Sequence, residues 1–190
     1  GSDAVWTPLY RAGGICALLA AAAYLGAIGL TFSLPAAPTT GGAETLAYIA
    51  EHRTVYILEQ VLWLGPSALL LVTMLALYPL LRGLHPSYTA IGVLLSIVSW
   101  AAGLAVPAYG GGAPGLVYLS DQYSTAASGA ERAQAIAAAE AFIAQNNTAI
   151  AVGVVQTIGI LLVSLVMLRG VVRTWVAWLG VATGAVGIAS

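Results

Sequence analysis

Five long apolar runs dominate the chain, at residues 9–34, 54–81, 88–106, 148–168 and 171–190, with short polar or proline-bearing stretches between them. About 20 predominantly apolar residues suffice for a helix to cross the hydrocarbon of a bilayer. The pattern therefore predicts an all-α fold: a polytopic transmembrane helix bundle of about five spans in one membrane-embedded domain, residues 1–190. The first run is too long for a signal-peptide core and reads as a retained helix. Prolines flank or punctuate the runs: Pro35 and Pro38, Pro66 and Pro79, Pro86 and Pro107. Pro66 is expected to kink its helix, because it removes a backbone donor and crowds the preceding turn.

Between the runs the periodicity becomes amphipathic. Residues 43–52 carry Leu46, Ile49 and Ala50 at helical spacing, with Glu44 and Glu51 elsewhere on the wheel. Ser128-Gly-Ala-Glu131 matches a capping box ahead of an alanine-rich run to Gln145. Pro114 is suited to open another short helix through Tyr123. Amphipathic helices on the outer face of the bundle are expected from these segments.

The arginines set an orientation. Arg11, Arg82, Arg169 and Arg173 fall before span one or in the two short turns on one side, which the positive-inside rule makes cytoplasmic. The other side holds Arg53 and Arg132 with Glu44, Glu51, Asp121, Glu131 and Glu140, and has the long loops. The expectation is a multi-pass protein of the bacterial inner membrane, N-terminus cytoplasmic and long loops extracytoplasmic. Trp6, Tyr10, Tyr88, Tyr109, Trp175 and Trp178 suit interfacial belts.

An internal repeat is also legible. Ala47-Tyr-Ile-Ala-Glu-His-Arg-Thr54 resembles Ala141-Phe-Ile-Ala-Gln-Asn-Asn-Thr148, and Leu81-Arg82-Gly83-Leu84 resembles Leu168-Arg169-Gly170-Val171. These matches suggest parallel copies over residues 43–107 and 130–190, each an outer helix, a descending span, a tight turn and an ascending span. In the last run, Gly180-Val-Ala-Thr-Gly184 forms a GxxxG stripe flanked by Ala177 and Gly187. Such a stripe lets backbones approach closely; its partner is another span of the same chain or, in a homo-oligomer, a second protomer. The chain ends in apolar sequence at Ser190, from which a further, sixth span is expected.

Composition narrows the function. Of 190 residues, 60% are hydrophobic and 7% charged, against roughly 25% charged in soluble domains. A net charge of −1 leaves no nucleic-acid footprint. There is no lysine, which excludes a Walker A site and Schiff-base chemistry. Cys16 is the single cysteine and reads as a small buried hydrophobe. His52 and His85 stand at opposite ends of the second span, so no metal or haem site is expected and no cofactor is implied. An outer set of Asp121, Glu131, Glu140 and Glu51 offers oxygen ligands for a cation, with a solvated acidic face as the plainer reading.

Ionisable groups inside a membrane are candidates for function. Glu59 is the principal one, followed by Gln60, both within about two turns of Thr54. Glu59 and Trp63 share a helical face, and Gln156 lies at a comparable depth in the repeated span. Glu59, Gln60, Trp63 and Gln156 are therefore the candidate ligand-binding residues of an outward-facing pocket. The structural alternatives are that Glu59 snorkels or pairs with Arg53 or Arg132, and that the glutamines bond helix to helix. No residue qualifies as catalytic by motif: Gly65-Pro66-Ser67 lacks the strand–turn–helix setting of a nucleophile elbow.

Residues 9–178 resemble the uncharacterised bacterial integral-membrane proteins of domain-of-unknown-function family 4386. The likeness lies in the layout, in Leu77-Tyr-Pro-Leu-Leu81-Arg82, in Ala130-Glu-Arg-Ala-Gln134 and in Trp178-Leu-Gly180. The resemblance implies an inner-membrane bundle of about six spans and carries no catalytic residues. Three readings remain open at the sequence level. One is a binding protein for a small apolar or amphipathic molecule, in a sensor, accessory or transport role among membrane lipids. Another is a membrane-embedded enzyme with Glu59 as acid or base. The last is a structural or assembly subunit.

Overall fold

The computed structural model describes residues 3–33, 38, 41–105, 113–147, 150–170 and 172–189. These form eight helices: α1 (Asp3–Ser33), α2 (Gly42–Glu51), α3 (Arg53–Leu81), α4 (Pro86–Ala105), α5 (Ala113–Thr125), α6 (Gly129–Asn147), α7 (Ile150–Met167) and α8 (Thr174–Ala189). No strand occurs among the described residues. The expected boundaries at Leu34, Val106, Thr148, Val171 and Ser190, with Pro35, Pro107 and Tyr109, lie outside them.

Among the described residues, three helices are long and apolar enough to cross a membrane: Ala4–Ser33, Arg53–Leu81 and Pro86–Ala105. The fourth and fifth expected spans are shorter apolar helices, Val152–Met167 and Thr174–Ala189. Large apolar side chains stand exposed along the long helices, among them Leu18, Leu25 and Phe32 of α1 and Ile91, Leu94 and Val98 of α4. In water so much contiguous apolar surface would drive association; in lipid it is the ordinary exterior of a membrane protein. Helix α3 continues through both Pro66 and Pro79.

Contacts divide the chain into two compact units, with α1, α3 and α4 contributing residues to both. The first unit holds Gly1–Ala21, Pro66–Ala102 and Ile150–Ser190. Its core is Met74, Leu81, Val93, Trp100, Val163, Val166, Met167 and Ala177. Small residues bring its helices together. A Cβ at Gly159 of α7 would lie 2.8 Å from the Ser96 nitrogen and 2.9 Å from the Gly92 carbonyl oxygen of α4. A Cβ at Gly184 of α8 would lie 3.0 Å from the Leu161 Cα of α7. The GxxxG stripe is thus packed against a neighbouring helix of its own chain, the first of the two partners the sequence offered. Burial on α4 is tight enough that Thr89, Ser96, Ser99 and the Trp100 indole nitrogen have no hydrogen-bond partner among the described residues. On α1, the Gly13 carbonyl accepts from the Thr73 hydroxyl at 3.2 Å.

The second unit holds Ala22–Gly65 and Gly103–Ala149. Here the amphipathic segments are not separate rafts. Helices α2, α5 and α6 pack on one another around Leu46, Ile49, Leu116, Leu119, Ala135 and Ala139, with Tyr56 of α3 completing the core. The buried stripe of α2 is Gly42, Thr45, Leu46 and Ile49; Ala50, expected on that stripe, is exposed. Gly42 is needed because α6 passes so close: a Cβ there would come within 2.6 Å of the Ile136 carbonyl oxygen. Ser120 of α5 buries its hydroxyl and donates to the Leu46 carbonyl at 2.8 Å. The capping box forms, with the Ser128 hydroxyl accepting from the Glu131 N–H at 3.3 Å. The Glu131 carboxylate in turn accepts from the Ala127 N–H at 2.8 Å.

The two units differ in charge. Four arginines against one aspartate make the first a formal +3, and two arginines against six carboxylates make the second −4.

Candidate functional site

Successive residues of an α-helix are set about 100° apart, and here adjacent Glu59 and Gln60 meet different neighbours. On α3, Glu59 and Trp63 point toward α1. The Thr31 hydroxyl lies 3.2 Å from Glu59 Oε1 and 3.0 Å from the Ala27 carbonyl, and its single proton is shared between these two acceptors. The Tyr24 ring lies 5.8 Å from the Trp63 ring, tilted by 55°. Both pairs lie within the second unit. They join α1 to α3 through one polar and one aromatic contact spaced a helical turn apart.

Gln60 lies on the other side of α3. There an open groove of about 470 Å³ is walled by Ile57, Val61, Leu64 and Gly65 of α3, Leu104 of α4, and Pro114 and Val117 of α5. Gln60 is its one polar side chain among the described residues. Pockets for small ligands run from about 300 to 1,000 Å³ and combine apolar walls with few polar groups. The groove has that size and that chemistry. Glu59 and Trp63 do not line it.

The predicted set of four is therefore divided. Glu59 and Trp63 form a contact face toward α1, Gln60 joins the groove, and half-buried Gln156 belongs to the first unit. The expected pairing of Glu59 with Arg53 or Arg132 is replaced by other contacts. Arg53 pairs with Asp121, and the Arg132 guanidinium lies 5.7 Å from the centre of the Tyr123 ring. Both partners come from α5, which brings an acidic and an aromatic side chain to the arginines. Asp121 and Glu131 are thereby engaged, and no group of three or more His, Cys, Asp or Glu residues gathers among the described residues.

Sequence reasoning missed Thr31, Tyr24 and Tyr48. Tyr48 of α2 stacks on His52, ring centres 4.7 Å apart. Burial raises its phenol above the usual 10, and the negative charge of Glu59 raises it further. A threonine or tyrosine in an apolar run gives no signal of its own. The hydrophobic period says which way it points, not which carboxylate it meets. No protein-family model, curated protein or solved structure matches this chain.

Proposed function

We propose that this chain is an integral membrane protein that binds a small apolar or amphipathic molecule in the α3–α4–α5 groove, in a sensor, accessory or transport role. The observation that carries the reading is the groove itself: about 470 Å³, apolar walls from three helices, and Gln60 as the single polar side chain among its described residues. An alkyl chain would lie along Ile57, Val61 and Leu64, and a polar end group would hydrogen-bond to the Gln60 amide. The charge pattern, with Arg82, Arg169 and Arg173 on one side, supports an inner-membrane orientation with the N-terminus cytoplasmic and the groove in the outer half. The layout shared with domain-of-unknown-function family 4386 belongs to the same reading.

The test is photolabelling of the purified protein with a diazirine-bearing fatty alcohol, mapped by peptide mass spectrometry. Label is expected on peptides carrying Ile57–Leu64 or Pro114–Val117. Leu64→Trp, which fills the groove, is expected to abolish it. Gln60→Leu is expected to weaken competition by free fatty alcohol by about five-fold, the worth of one hydrogen bond. Label spread evenly over the exposed faces of α1 and α4, unaffected by Leu64→Trp, would overturn the proposal.

A further inference from the structure

A second pocket, in the first unit, has a different chemistry. It measures about 470 Å³ and is walled by Tyr88 of α4, by Leu162, Leu165 and Val166 of α7, and by Arg169 in the turn after α7. Three features prepare this place for an anion carrying an apolar tail. The first is the charge. Arg169 is exposed and has no carboxylate partner within 4.0 Å among the described residues, and its unit has a formal charge of +3. By contrast, Arg82 lies 5.5 Å from the centre of the Trp6 ring, and Arg53 is paired with Asp121.

The second is the shape of the turn. The Arg169 N–H donates to the Val166 carbonyl at 3.0 Å, and Gly170 follows with φ of +109°, a conformation open to glycine. Arg169 thus stands in the turn that ends α7, where it lines the pocket. The third is Tyr88, whose ring stacks on His85 with centres 4.1 Å apart. That contact holds in place the ring of a phenol that lines the same pocket as the arginine.

We infer that this pocket binds an anionic glycerophospholipid of the adjoining leaflet. Its phosphate sits on the Arg169 guanidinium with the Tyr88 hydroxyl as a second donor, and one acyl chain lies along Leu162 and Leu165. Arginine suits the headgroup because its planar fork meets two phosphate oxygens at once. Leu165, which is exposed, gains a permanent apolar neighbour. The inference is independent of the α3 groove, since no residue is shared between the two pockets.

The full chain in detergent, titrated with phosphatidylglycerol or phosphatidylcholine and read by native mass spectrometry, tests it. One phosphatidylglycerol is expected to bind about five-fold more tightly than phosphatidylcholine, the scale of one arginine at a membrane surface. Arg169→Gln is expected to erase that preference. Leu165→Trp is expected to reduce binding of both lipids by obstructing the apolar wall. Arg173→Gln removes the same charge outside the pocket and is expected to leave the preference intact. Equal loss in Arg169→Gln and Arg173→Gln would reduce the effect to general surface charge and overturn the site. Unchanged preference in Arg169→Gln, or none in the unmodified chain, would also overturn it.

Discussion

The Thr31 hydroxyl on α1 donates to the Glu59 carboxylate on α3 at 3.2 Å, and this bond decides what the principal ionisable residue of the long apolar run does. Glu59 is turned to α1 rather than into the α3–α4–α5 groove. Its role is tied to the joining of two helices, with the Tyr24–Trp63 pair one turn along. Inter-helical hydrogen bonds in membranes average about 0.6 kcal/mol and reach about 1.7 kcal/mol. Thr31→Val and Glu59→Gln, combined in a double-mutant cycle on unfolding in mixed micelles, should show a coupling in that range. Additive single effects would disprove the coupling.

The raised Tyr48 phenol has a consequence at alkaline pH. A group whose folded pKa lies above its unfolded value contributes stability at pH below the unfolded pKa, near 10 for tyrosine, and loses it as pH rises through the folded value. The second unit should therefore lose stability above pH 10. Glu59→Gln should move the Tyr48 transition downward but not fully back, because burial is the larger cause. Absorbance at the tyrosinate band, with Tyr48→Phe as the subtraction, measures this.

Two buried serines should respond oppositely to alanine. Ser120 donates to the Leu46 carbonyl inside the α2–α5 contact, so Ser120→Ala should cost about 1 kcal/mol, the net worth of one buried hydrogen bond. The Ser96 hydroxyl is buried without a partner among the described residues, so Ser96→Ala should be neutral or stabilising. Chemical denaturation of the two variants, compared side by side, reads the sign directly.

Close helix approach makes a similar contrast. Gly42→Ala should destabilise the α2–α6 contact by about 1–3 kcal/mol, since the added methyl meets backbone rather than a movable side chain. Gly129→Ala meets nothing within 4 Å and should be tolerated. Proteolytic susceptibility of the segment after Thr125 separates the two: it should rise only in Gly42→Ala.

The Arg53–Asp121 pair is conspicuous but weak. Both side chains are about half exposed, at 51% and 50%, so water screens the charges. Asp121→Asn should change stability by less than about 1 kcal/mol, and the change should shrink as salt is raised. A melting temperature that drops steeply and independently of salt would contradict this.

Much of the helical layout was legible because hydrophobic period and length act locally. The apolar runs became α1, α3, α4, α7 and α8, and the capping box at Ser128 became the start of α6. The candidate site was less legible. Glu59, Gln60 and Trp63 stand within five residues, and chain proximity suggested one pocket, whereas the helical turn sends Gln60 to the groove and its neighbours to α1. Of the glycines at tight contacts, Gly42, Gly92, Gly159 and Gly184 differ in how the sequence presents them. Only Gly184 stood in a recognisable motif; the others matter through neighbours far along the chain.

By itself the sequence determined that this protein is helical, apolar and asymmetric in charge, because burial of the backbone's polar groups in lipid leaves a chain of this composition no other economical arrangement. Tertiary structure decided which side chains meet. It drew α2, α5 and α6 into one core, set the GxxxG stripe against α7, gave Arg53 to Asp121 and Thr31 to Glu59, and placed Arg169 in the lining of a pocket. Those outcomes depend on residues far apart in the chain, 28 positions for Thr31 and Glu59 and 68 for Arg53 and Asp121, and on how closely two backbones can approach. Helical period, which repeats every 3.6 residues, holds no information at that range.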